Sequence, residues 1–213
     1  NDEVIVPTLS YISSGNVISY CGAKPIFCES NEKTFNAEVK DIESKIKDRT
    51  KAIMIVDLKG MPANFDEIIK LAKKKNIILI EDNCEALGSK LKNKYLGTFG
   101  DFATFSFFYS HQITSGEGGM IVCHNDRDYE ILFALRSHGW LGGTRFYPRS
   151  LKIYRKYAKK YPNLDPRYIF INSGFNVRPT DIQAWLDPDA PSLGRSAIHG
   201  SRSPARPAAA MGR

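Results

Sequence analysis

Three parts of this sequence carry residue types that could do chemistry. The run NIILIED ends an apolar segment with Asp82, a position where an unpaired carboxylate would be costly unless a cation or a protonated ring nitrogen met it. Twenty-four residues on, Ser106 opens SFFYSHQITSGEGG and offers a hydroxyl to a phosphate. His111 follows in the same run, a side chain that exchanges a proton near neutral pH, and Gly116, Gly118 and Gly119 then allow a tight backbone. Each residue also has a plainer reading: Asp82 capping the next helix, and His111 as a structural histidine after an aromatic run.

These residues need elements to hold them. The runs EVIVP, KPIFCE, KAIMIVD and NIILIED are short, rich in Ile and Val, and apolar at consecutive positions, as expected of parallel strands buried on both faces. DFATFSFF and EGGMIVC read as further strands. Helices are expected between them. Asn64 to Lys75 is the clearest, with Asn64 as cap, Glu67 three residues on, and Ile68, Ile69, Leu71 and Ala72 facing inward. A second helix is expected over Asp126 to His138 with Ile131, Leu132 and Leu135 inward, and Thr180 is a candidate cap for PTDIQAWL. Such β-α alternation predicts a mainly parallel sheet flanked by helices, with ligands bound beyond the carboxyl ends of the strands.

Composition narrows the class. With 213 residues, 42% hydrophobic and 25% charged, the chain suits a globular α/β domain, and no apolar run approaches membrane-span length. The net charge of +7 is scattered and comes without a nucleic-acid recognition motif. Cys21, Cys28, Cys84 and Cys123 form no C-x-x-C pair, so reduced, buried thiols, no metal centre and a cytoplasmic location are expected. Residues 141–170 mix bases with tyrosines and read either as a lid over an anionic substrate or as a surface helix. Residues 187–213 show no hydrophobic period and are expected to be disordered or foreign to the fold, leaving 1–186 as the domain.

A series of ordered motifs adds a family. DEVIVPTLSYISSGN, YCGAKPIF, IEDNCEALGSKLKNKYLGTFGDFATFSFFYSHQITSGEGGMIV, RSHGW and SGFNVRPTDIQA resemble the DegT/DnrJ/StrS family of pyridoxal-phosphate-type sugar-nucleotide aminotransferases. The resemblance implies the large domain of the aspartate-aminotransferase fold (fold type I), here truncated at both ends and expected to be inactive and prone to association alone. It implies that Asp82 pairs with the cofactor's pyridinium nitrogen, Tyr11 stacks on the ring, Glu85 sits beside the ring hydroxyl, and Ser106 binds the phosphate. Asn176 matches a residue reaching the phosphate in a neighbouring subunit, which implies a homodimer.

His111 stands where family aminotransferases have the lysine that binds the cofactor covalently, and imidazole forms no Schiff base. That resembles the histidine-bearing 3-dehydratase subgroup, which holds pyridoxamine 5'-phosphate and removes a hydroxyl from a nucleotide-linked 4-keto-6-deoxyhexose, GDP- or CDP-linked, in lipopolysaccharide or other polysaccharide sugar biosynthesis. No cysteine follows Cys123, so the cluster-free, colitose-type relatives using L-glutamate as amine donor are the nearer likeness. The subgroup motif SHHI reads SHQI here, with Gln112 at the second histidine. An aminotransferase using another lysine and an inactive cofactor-binding or sensory protein stay open beside the dehydratase.

Overall fold

Six strands make one sheet, and their carboxyl ends position the site. The structure, a computed structural model, describes residues 2–140, 151–165, 168–180 and 183. In chain order the elements are β1 (Glu3–Pro7), α1 (Ile12–Tyr20), β2 (Lys24–Cys28), α2 (Val39–Lys45), β3 (Thr50–Val56), α3 (Phe65–Lys75) and β4 (Ile78–Asp82). A two-stranded ribbon follows, β5 (Lys90–Leu91) with β6 (Lys94–Tyr95), then β7 (Phe102–Ser106), β8 (Gly119–Cys123), α4 (Asp126–Leu135) and α5 (Leu151–Lys160).

The sheet order is β2-β1-β3-β4-β7-β8. The first five strands run parallel, so β1, β3, β4 and β7 end at one edge, while β8 returns antiparallel beside β7. From β1 the chain moves outward to β2, then crosses back to β3 on the other side. Ligands favour the crevice that such a reversal opens.

Central strands are buried as the apolar runs predict: Ile5, Ile53, Ile55 and Leu79 lie in the core with Phe65, Ile68, Leu71 and Ala72 of α3. Phe65 stacks on Phe99 with ring centroids 4.8 Å apart. At the edge, β2 is only partly covered, with Phe27 49% exposed, and β4 alternates, with Ile78 45% exposed and Ile80 half-covered, so of the four runs only β1 and β3 are largely buried on both faces.

Three local expectations need correction. Asn64 precedes α3 but makes no side-chain cap hydrogen bond, because its backbone (φ −76°, ψ 70°) departs from the extended form that aims a cap inward. In α4 the buried positions are Phe133 and Ala134, while Ile131, Leu132 and Leu135 are half-covered: the helix is turned so that its Phe133–Ala134 side faces inward. Only Cys28 is buried; Cys21 is exposed beyond α1, and Cys84 and Cys123 are intermediate.

Other ends form as the residues suggest. Thr180 Oγ1 accepts from the Gln183 backbone N–H, and Gln183 Oε1 accepts in turn from the Thr180 N–H, a reciprocal cap. Residues 141–150 and 187–213 lie outside the described residues, as do the readings that fall on them. No described helix is long and apolar enough to cross a membrane.

Candidate active site

The acid at the end of β4 is held from two sides. Asp82 is half-buried; its Oδ2 accepts from the Ser14 hydroxyl at 3.0 Å and its Oδ1 from the Cys84 backbone N–H at 3.2 Å. Ser14 is itself buried in the first turn of α1, so β1's helix leans on β4's carboxylate. Tyr11, at the cap of that helix, is 72% exposed. Burial pushes the neighbouring Cys84 thiol up to about 12, with the Asp82 charge adding to the rise. It stays protonated at neutral pH and is no nucleophile.

Glu81, one residue earlier, points the other way and is structural. It is fully buried and accepts three backbone N–H groups, from Gly97 at 2.7 Å, Phe99 at 2.6 Å and Gly100 at 2.5 Å. Two of those donors come from glycines that the packing requires: a Cβ at Gly97, whose φ is +85°, would lie 2.4 Å from the Phe105 ring, and one at Gly100 would lie 2.7 Å from the Leu79 carbonyl oxygen.

His111 lies in the loop between the paired strands β7 and β8. That loop is closed at its base by Phe107 N–H to Gly118 O and Ser115 N–H to Phe107 O. The His111 ring stands edge-on to Phe108, and its Nδ1 is buried without a hydrogen-bond partner. Ser106 ends β7; its Oγ accepts from the Phe108 N–H at 3.2 Å, which leaves the hydroxyl proton available to a ligand.

Two side-chain hydrogen bonds lace three loops at this edge. Gln112 Nε2 donates to the Glu85 carbonyl oxygen at 2.7 Å, and Glu85 Oε2 accepts from the Lys59 backbone N–H at 2.8 Å. Lys59, Glu85, Ser110, His111 and Gln112 together line a cleft of about 490 Å³. Glu85 and His111 therefore share this cleft, while Asp82 with Ser14, Tyr11 and Ser106 are not among the residues that line it. Asn176 stands apart: it is exposed and bridges to Ser137 beyond α4.

Two residues here were not singled out from the sequence. Asp57, directly after β3, is fully buried: its Oδ1 accepts from Ala63 N–H at 3.1 Å, and its Oδ2 has no partner. Burial pushes its carboxyl up to about 7 against the pull of the Ala63 N–H, and the charges of Glu81 and Asp82 add to the rise. Its signal was present, since KAIMIVD ends on an acid just as NIILIED does. Lys59 gave none, because its place depends on a left-handed turn (φ 56°, ψ 24°).

A sequence profile of the DegT/DnrJ/EryC1/StrS aminotransferase family matches residues 1–187. The chain belongs to this family. It is 52% identical over 138 residues to the GDP-perosamine synthase of Escherichia coli O157:H7, covering 65% of the chain and 38% of that protein. It is 39% identical over 185 residues to the GDP-4-keto-6-deoxy-D-mannose 3-dehydratase of Escherichia coli O55:H7, covering 87% and 46%.

Among solved structures, the E. coli GDP-4-keto-6-deoxy-D-mannose-3-dehydratase with bound hydrated PLP superposes with a TM-score of 0.73 at 33% identity, over 90% of this chain and 48% of that one. An aminotransferase from Psychrobacter cryohalolentis gives 0.73 at 31% identity, over 92% and 45%. The family chain thus has the fold-type-I architecture expected from its motifs, and it spans less than half the length of these relatives.

Proposed function

We propose that the protein containing this chain is a nucleotide-sugar 3-dehydratase dependent on pyridoxamine 5'-phosphate, converting a 4-keto-6-deoxyhexose to the 3,6-dideoxy-4-keto sugar. The observation that carries this reading is His111: an imidazole lines the cleft, with a buried Nδ1 that no other group occupies. Such a side chain holds and moves a proton but forms no covalent attachment.

The residues present fit the cofactor. When bound, it supplies an amino group and an electron-accepting ring. The half-buried Asp82 carboxylate, steadied by Ser14, suits a protonated ring nitrogen, and the free Ser106 hydroxyl proton suits a phosphate oxygen. Tyr11 offers an exposed ring to the cofactor face, and Glu85 keeps Oε1 for the ring hydroxyl while Oε2 holds Lys59. Asn176, away from this cluster, would serve the phosphate of a second subunit in a homodimer. His111 takes up a proton on the side where the sugar's 3-hydroxyl departs and returns it to that leaving oxygen.

GDP is the nucleotide we favour over CDP, since relatives at 52% and 39% identity are named for GDP-linked sugars. L-glutamate as amine donor, a cytoplasmic location and a place in lipopolysaccharide sugar synthesis complete the reading. The second reading is a sugar aminotransferase. It is favoured by the 52% identity to a GDP-perosamine synthase and by Lys59, an amine lining the same cleft.

The test is to supply the full-length protein with pyridoxamine phosphate, GDP-4-keto-6-deoxy-mannose and glutamate. A product lacking one oxygen and containing no added nitrogen is expected, and His111→Asn should abolish it while cofactor still binds. An aminated product that keeps its oxygen, with a borohydride-trapped pyridoxyl group on a lysine, would replace the first reading with the second.

A further inference from the structure

The cleft beside His111 holds a cation to which the proposed reaction gives no role. Lys59 reaches it from the turn Leu58–Gly60, in the left-handed backbone region that a lysine seldom adopts. Two contacts hold it there: its N–H donates to Glu85 Oε2, and its ammonium rests 4.7 Å from the centroid of the Phe35 ring. Phe35 is also left-handed, with φ 61°. Two separate loops thus each adopt an unfavourable backbone angle where a ring meets an ammonium, and such outliers persist only where their surroundings hold them.

The charge has no carboxylate partner. Glu85 is the acid of the lining, and its Oε2 is turned to the Lys59 backbone; among the described residues no ion pair forms at Lys59 Nζ. Nearby, Ser110 and His111 add polar residues to the same wall. Lys59 is exposed, and an ammonium held against a ring keeps its N–H donors for an outside acceptor.

We infer that Lys59 is an anion seat, taking one carboxylate or phosphate group of a ligand that occupies the His111 cleft. Glu85 limits the seat to a single anionic group, because a second would meet its charge. The inference rests on the cleft being the substrate site, as proposed above, and not on which reaction follows there.

The test reads binding without turnover, in the full-length enzyme, by calorimetric titration with GDP and with glutarate. Lys59→Gln should weaken one of the two by about tenfold, as loss of a charged hydrogen bond does, and Lys59→Arg should stay within about threefold of the parent. A loss confined to GDP assigns the seat to phosphate, and one confined to glutarate assigns it to carboxylate. Unchanged binding of both probes by a folded Lys59→Gln variant overturns the seat, as does a pyridoxyl adduct trapped on Lys59. A failed dehydration assay with intact Lys59-dependent binding would leave the seat standing.

Discussion

The side-chain amide of Gln112 donates to the carbonyl oxygen of Glu85 at 2.7 Å, so the residue next to His111 is fastened to the turn that follows Asp82. Where subgroup relatives carry a second histidine, this chain keeps a side chain able to donate. Gln112→Ala should release the loop and lower kcat of the full-length enzyme about threefold to tenfold with little change in KM, in line with a lost hydrogen bond of about 1 kcal/mol. Gln112→His, which retains a ring N–H, should keep most of the rate. Equal kcat in the parent and the alanine variant would show that the fastening does not serve His111.

Asp57 makes stability depend on pH. Its folded carboxyl titrates near 7 against an ordinary value of 3.8, so between those limits the folded state holds a proton that the unfolded state has released. The folded form is therefore favoured least above 7, and this contribution declines as pH rises from about 4 to about 7. Asp57→Asn keeps the oxygen that accepts from Ala63 and removes the titration. Thermal midpoints taken at about pH 5 and about pH 8 should differ less in the variant than in the parent. An identical difference in both proteins would assign the dependence elsewhere.

Glu81 tests the frame beneath the site. Three buried N–H groups converge on its two oxygens, and glutamine would present an NH₂ to donors that need an acceptor. Glu81→Gln should cost about 3 kcal/mol, read as a lower denaturation midpoint in urea. A variant as stable as the parent would mean that the Gly97–Gly100 turn finds other acceptors.

Much of this was legible in the residues, for physical reasons. Consecutive β-branched side chains mark interior strands because both faces must be covered, and EVIVP forms a strand over the run quoted, Glu3–Pro7. Asp82 was visible because an acid closing such a strand needs a partner. Ser14, which provides one, lies 68 residues away, and sequence alone carries no sign of that pairing. Caps divided in the same way. Thr180 and Gln183 cap each other through local geometry, whereas Asn64 depended on a backbone angle set by the loop closed between Asp57 and Ala63. The Lys59 turn follows from contacts with Phe35 and Glu85, which come from two other parts of the chain.

The loop that carries His111 is a long hairpin whose two stems, β7 and β8, bond to each other from Phe102↔Cys123 to Ser106↔Gly119. Its frame is therefore secured by main-chain contacts that are indifferent to the side chain at its tip. A family built this way can exchange the reacting group at one position without refolding its sheet. On the reading proposed above, amine transfer and hydroxyl loss are neighbouring outcomes of a single scaffold, separated by the chemistry of one residue and by the few side chains, Gln112 among them, that aim it.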